Sequence, residues 1–168
     1  MLRFLLGARY LVNNFTILSV DDSGDDTLLF QRACRKCGAS FDLQTVPDGQ
    51  RAIDYLSGND TFSDRQQYPL PNLLLLDLKM PGKSGFEVLE WVRGQTHSKD
   101  LPVVIFTSSD NHGDVRKAYQ KGANWYVMKP ADYGELMAIA GAINSYLATS
   151  DSQLLPSLQN FRANPGEE

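Results

Sequence analysis

Long apolar runs, basic excess and cysteine are all scarce in this chain. Its 168 residues hold 16 Lys and Arg against 20 Asp and Glu, a formal net charge of -4, so the electrostatic footprint of a nucleic-acid binder is missing and no nucleic-acid partner is expected. No apolar run approaches the roughly 20 residues that cross a bilayer, so no membrane partner is expected either. The opening Met1-Leu-Arg-Phe-Leu-Leu-Gly-Ala8 has one Arg and a short apolar stretch, but no convincing cleavage site follows, and the chain is expected to be cytoplasmic. The two cysteines, Cys34 and Cys37, fall late in a helical segment, on the apolar face shared with Phe30 and Ala33. A redox pair would instead open the helix, where the N-terminus lowers the thiol pKa. With His97 and His112 standing alone, four zinc ligands cannot be assembled, and both cysteines read as core residues in a reducing compartment.

What remains, 42% hydrophobic and 21% charged residues, suits one soluble domain with a well-buried core. Strand-like and helix-like segments alternate five times. The strands are Thr16 to Val20, Phe41 to Val46, Leu73 to Leu76, Val103 to Phe106 and Trp125 to Met128. The unbroken four-leucine run suits a central parallel strand covered on both faces. Helical spacing follows each strand, most clearly in Leu136, Ile139, Ala140, Ile143 and Leu147, an amphipathic pattern. The polar stretch from Ser57 to Pro71 reads as a long loop, an insertion or a binding element. Alternating βα units imply right-handed crossovers and helices on both faces. The expected fold is α/β, a flavodoxin-like (βα)5 doubly wound parallel sheet with strand order 2-1-3-4-5. Residues 1–13 read as an N-terminal extension, 14–148 as the domain, and 149–168, rich in Ser, Asn, Gln and Pro, as a flexible tail.

The chemistry sits at strand ends. Asp21 and Asp22 follow the first strand, Asp77 the third, and Lys129-Pro130 the fifth. In an open parallel sheet these all gather at the carboxyl edge, where ligands bind. Three crowded carboxylates repel one another and call for a cation. A divalent metal beside a fixed ammonium is what an incoming phosphoryl group needs, which makes the chain a candidate phosphoryl-accepting switch.

With these residues stand the loop Asp77-Leu-Lys-Met-Pro-Gly-Lys-Ser-Gly85, Thr107-Ser108, and Tyr126 three positions before Lys129. In this order and at these strand ends the chain resembles the receiver domains of two-component response regulators, over nearly its whole length. The resemblance implies that Asp77 is the phosphoacceptor, a carboxylate nucleophile that forms an acyl phosphate. It implies Mg²⁺ held by Asp22, Asp77 and the backbone carbonyl of Lys79, with Asp21 acting partly through water. Lys129 would supply a point charge to one phosphoryl oxygen and Thr107 a hydrogen bond to another. As Thr107 moves toward the phosphate, the aromatic ring at the Tyr126 position turns inward, biasing two arrangements of the face formed by helix 4, strand 5 and helix 5.

The expected function is therefore that of a single-domain response regulator of a phosphorelay, signalling by altered protein binding and not acting as an enzyme on other substrates. Its expected partners are a histidine kinase or histidine phosphotransfer protein, a downstream protein target, and a second copy of itself through strand 5 and helix 5. Two departures stand out: Lys79 places a cation two residues after the acceptor, where the family usually has a smaller or polar residue, and Ala131 follows Lys129-Pro130 where a bulkier one is frequent. Lys79 and Ser109 lie where receivers tune access of hydrolytic water. The alternative is a Mg-dependent phosphohydrolase of the haloacid-dehalogenase type, also with an Asp77 nucleophile. Such an enzyme needs a second Asp two residues on as general acid, and Lys79 occupies that place.

Overall fold

The computed structural model describes residues 15–149. The expected extension over 1–13 and the tail from 150 onward lie outside the described residues, while Thr149 is the last residue of the final helix. Five strands, β1 (Thr16–Val20), β2 (Asp42–Val46), β3 (Leu73–Leu76), β4 (Val103–Thr107) and β5 (Trp125–Met128), alternate with α1 (Gly24–Lys36), α2 (Gly49–Ser57), α3 (Gly85–Gly94), α4 (His112–Gln120) and α5 (Tyr133–Thr149). Every pairing is parallel, and the order is β2-β1-β3-β4-β5, as the alternation predicts.

Side chains alternate across the pleat and build two cores. Leu18, Val20, Leu74, Leu76, Val103 and Ile105 face α2, α3 and α4, where Ala52, Leu89, Val92 and Val115 meet them. Ile17, Leu73, Leu75, Val104, Phe106 and Val127 face Phe30, Ala33, Ile139 and Ile143 of α1 and α5. β1, β3 and β4 are buried along their whole length, and burial on both faces is why β3 reads as a continuous apolar run.

Two expectations change. Cys34 is buried, and burial pushes its thiol up to about 12, but Cys37 is exposed. The helix stops at Lys36 with Cys37 as its C-cap, and Gly38 turns left-handed at φ 72°, so the apolar stripe ends before the second cysteine reaches it. The stretch from 57 to 71 is not plain loop. It contains a 3-10 turn, Asp60–Phe62, and Phe62 is buried against Tyr55 and Tyr68, with ring centroids 5.1 Å away in each case. Arg65 donates to the carbonyls of Tyr55, Leu56 and Tyr68 at 2.8, 3.0 and 3.2 Å. Gly58 caps α2 at φ 72°, and Arg65 packs so close there that a Cβ would lie 2.8 Å from its guanidinium. Among the described residues no helix is long and apolar enough to cross a membrane.

Candidate functional site

The sheet ladder runs one residue past its strands and thereby assembles the site. Asp21 N–H donates to the Val46 carbonyl at 3.2 Å, Asp77 N–H to the Val20 carbonyl at 3.0 Å, and Lys129 N–H to the Thr107 carbonyl at 2.8 Å. The expected Asp21, Asp77, Thr107 and Lys129 are thus set side by side along one edge. Gly85, the first residue of α3, lies against Asp77, and a Cβ there would collide with the Asp77 carbonyl oxygen. Only glycine lets this helix start so near the strand end.

Lys129 is the centre of the charge network. Its Nζ lies 2.7 Å from Asp21 Oδ2, 2.9 Å from Asp26 Oδ2 and 3.2 Å from Asp77 Oδ2. The ammonium donates hydrogen bonds to Asp26 and Asp77 and pairs with Asp21 as an ion pair, so three carboxylates share one cation. The other Asp21 oxygen accepts from Ser23 N–H at 2.9 Å, and Asp77 Oδ1 accepts from Lys79 N–H at 3.4 Å. Asp21 and Asp77 are buried, whereas Asp22 is exposed. One oxygen from each of Asp21, Asp22 and Asp77 lies within 4.8 Å of the others, so this set could hold a metal ion. Hard oxygen donors of this kind suit Mg²⁺ or Mn²⁺. A cleft of about 590 Å³, lined among others by Asp22, Asp48, Gln50, Pro81 and Lys83, opens beside the exposed carboxylate.

Burial raises the Asp21 carboxyl above its ordinary value, and the repulsion of Asp77 adds to this. The Lys129 bond and the Ser23 amide oppose the rise without cancelling it. For Lys129, burial disfavours the ammonium, but its bonds to Asp21 and Asp26 and the field of Asp77 outweigh burial, so its pKa ends raised. The ammonium therefore stays charged, and the pocket keeps more negative charge than one lysine neutralises.

Thr107 is fully buried, its Oγ1 accepting from Ser109 N–H at 3.4 Å. It does not cap the following helix, since Asn111 does. Tyr126 is also fully buried. Its hydroxyl donates to the Ser109 carbonyl at 2.9 Å. The buried Ser109 hydroxyl donates to Asp114 Oδ2 at 2.6 Å.

Sequence reasoning missed Asp26 as a partner of Lys129. The one available signal was Ser23-x-x-Asp26, the spacing of a helix-opening capping box, which announces a cap and not an ion pair. Lys79, expected to offer its backbone carbonyl, is exposed in its side chain, and its amide is the group that touches Asp77.

A sequence profile described as the response regulator receiver domain matches residues 17–140. The probable methanogenesis regulatory protein FilR2 of Methanothrix harundinacea is 32% identical over 132 residues, spanning 79% of this chain and 83% of that one. Response regulator Rcp1 of Synechocystis sp. is 33% identical over 130 residues, spanning 77% and 86%. Its Mn²⁺-bound crystal structure superposes with a TM-score of 0.71 at 31% identity, covering 83% of this chain and 99% of that chain. The phosphorylated cyanobacterial phytochrome response regulator RcpA does so with a TM-score of 0.74 at 29% identity, covering 83% and 97%. These matches leave the phosphohydrolase alternative without support.

Proposed function

This chain belongs to the response regulator receiver family, and from that premise we propose that Asp77 is its phosphoacceptor, served by Lys129, Thr107 and a divalent cation. Its role is phosphorelay signalling. Receivers take their phosphoryl group from histidine kinases or phosphotransfer proteins, and the proposed donor here is a phosphohistidine of one of these.

The observation that carries the reading is the shared ammonium: Lys129 touches both Asp77 and Asp21 at the edge where the ladder sets them together. Asp77 attacks phosphorus through a carboxylate oxygen, the N–P bond to the donor imidazole breaks, and that nitrogen takes a proton from water. An acyl phosphate is left on Asp77. Mg²⁺ is the proposed physiological cation, held by Asp21, Asp22, Asp77 and the Lys79 carbonyl. When bound it offsets repulsion between the carboxylates and the phosphoryl oxygens. Lys129 carries its charge to one phosphoryl oxygen, and the Thr107 hydroxyl bonds another. Water later hydrolyses the acyl phosphate, so any turnover is self-directed.

Readout rests on Thr107 and Tyr126. Drawing Thr107 toward the phosphoryl group loosens its bond to Ser109, whose carbonyl holds the Tyr126 hydroxyl, so the face of α4, β5 and α5 responds and a downstream protein reads it. Met128 and Tyr133 stay exposed on this side, and a second copy of the chain is the proposed partner for that surface. Phosphotransfer is proposed to take place in the cytoplasm.

Incubation with acetyl phosphate and Mg²⁺, or with beryllofluoride and Mg²⁺, tests the reading against Asp77→Asn. Only the unaltered protein should gain the modification or bind beryllofluoride; equal signals from both would overturn it. Sedimentation of the same samples tests the dimer, which a monomer in both states would remove.

A further inference from the structure

Two helices of this chain open with the same spacing and use it differently. At α3, Ser84 accepts from Glu87 N–H, and the Glu87 carboxylate returns to Ser84 N–H at 2.8 Å, closing a capping box. At α1, Ser23 Oγ accepts from Asp26 N–H at 3.2 Å, but the return bond is absent. Ser23 N–H donates to Asp21 instead, and the Asp26 carboxylate turns to Lys129. The result is a closed ring of bonds, Asp21 to Ser23 to Asp26 to Lys129 and back to Asp21.

We propose that Asp26 is a positioning residue, a reserved counter-ion that keeps Lys129 anchored when Asp21 and Asp77 turn to a divalent cation. The inference rests on the receiver reading above and deepens it. Lys129 has three carboxylate partners, and two of them belong to the set that could hold a metal. A metal and the ammonium therefore compete for Asp21 and Asp77. Asp26 lies outside the metal set, so it is the partner that Lys129 retains. Without it, metal entry would leave a largely buried ammonium facing a second cation with its carboxylates engaged elsewhere, a costly arrangement. Asp26 is fixed for the task from both ends, its amide by the Ser23 cap and its carboxylate by Lys129.

The test is a double-mutant cycle on Mn²⁺ affinity, with free Mn²⁺ counted by electron paramagnetic resonance. Asp26→Asn should weaken binding by about threefold to thirtyfold, within the span of couplings between contacting groups in one charge network, and Asp26→Glu should restore part of it. In a Lys129→Met background Asp26→Asn should have little effect, because the group it acts through is gone. An unchanged affinity on Asp26→Asn would overturn the proposal. So would an equal loss in both backgrounds, which would mark Asp26 as a distant charge and not an anchor. Failure here, with Asp77 still phosphorylated in the unaltered protein, would leave the receiver reading intact.

Discussion

At the carboxyl edge three carboxylates share one ammonium; in the segment after α2 one guanidinium is shared by three carbonyls. Both regions look merely polar in sequence, yet they do opposite things. Around Arg65 each acceptor is a neutral carbonyl, and the apolar bodies of Tyr55, Phe62 and Tyr68 close over one another. Such a bracket satisfies its polar groups and adds to stability. Around Lys129 negative charge exceeds positive, and burial raises the carboxyl pKa of Asp21. That edge is held in its arrangement by the ladder beneath it, and its surplus negative charge is what a divalent cation would exploit, leaving Lys129 and the cation to receive an anionic phosphoryl group.

The contrast predicts that damage to the bracket lowers stability without changing the chemistry of each folded molecule. Phe62→Ala has the largest expected effect, about 3 kcal/mol, because a buried ring is removed from between two others. The check is a lower denaturant midpoint at unchanged slope, with beryllofluoride binding intact in the absence of denaturant. Arg65→Ala comes next at about 2 kcal/mol, since the carbonyls it leaves behind can recruit some water. A change in Mn²⁺ or beryllofluoride affinity in either variant would break the contrast, joining the two regions into one cooperative unit.

How much of this could be read from the chain depends on the range of the interactions. Thr16 to Val20, Leu73 to Leu76 and Trp125 to Met128 match their strands, because burial of residues on both faces leaves a local concentration of apolar side chains, unbroken in Leu73 to Leu76. Asp21, Asp77, Thr107 and Lys129 were legible for the same reason: a parallel sheet sends the ends of successive strands to one edge. The bracket was not legible. Phe62 and Tyr68 are six positions apart with no period, and only the fold brings them to Tyr55. Cys37 misled because helical periodicity gives a face but not the residue at which the helix stops. Asp26 escaped because its partner is 103 positions away, and its spacing from Ser23 already had a local explanation.

The finest comparison is between two tyrosines, one in each region. Tyr55 donates its hydroxyl to the Pro69 carbonyl and Tyr126 to the Ser109 carbonyl, both at 2.9 Å. Burial first of all pushes each phenol up from 10.0 to about 12. The unfolded chain gives up these protons at lower pH than the folded one. Their contribution is therefore fully present below pH 10 and is lost as pH rises through about 12. Metal-free protein should lose stability across that window, and Tyr55→Phe or Tyr126→Phe should each flatten part of the slope. At neutral pH each replacement removes one hydrogen bond and costs about 1 kcal/mol. In these respects the two residues behave alike. They should part in the response to phosphorylation: Tyr55→Phe leaves a carbonyl unpaired in the bracket and nothing more, whereas Tyr126→Phe frees the Ser109 carbonyl next to Thr107. Beryllofluoride-induced chemical-shift changes on α4, β5 and α5 should therefore survive the first replacement and shrink in the second. Equal shrinkage in both would mean that the bracket takes part in the switch.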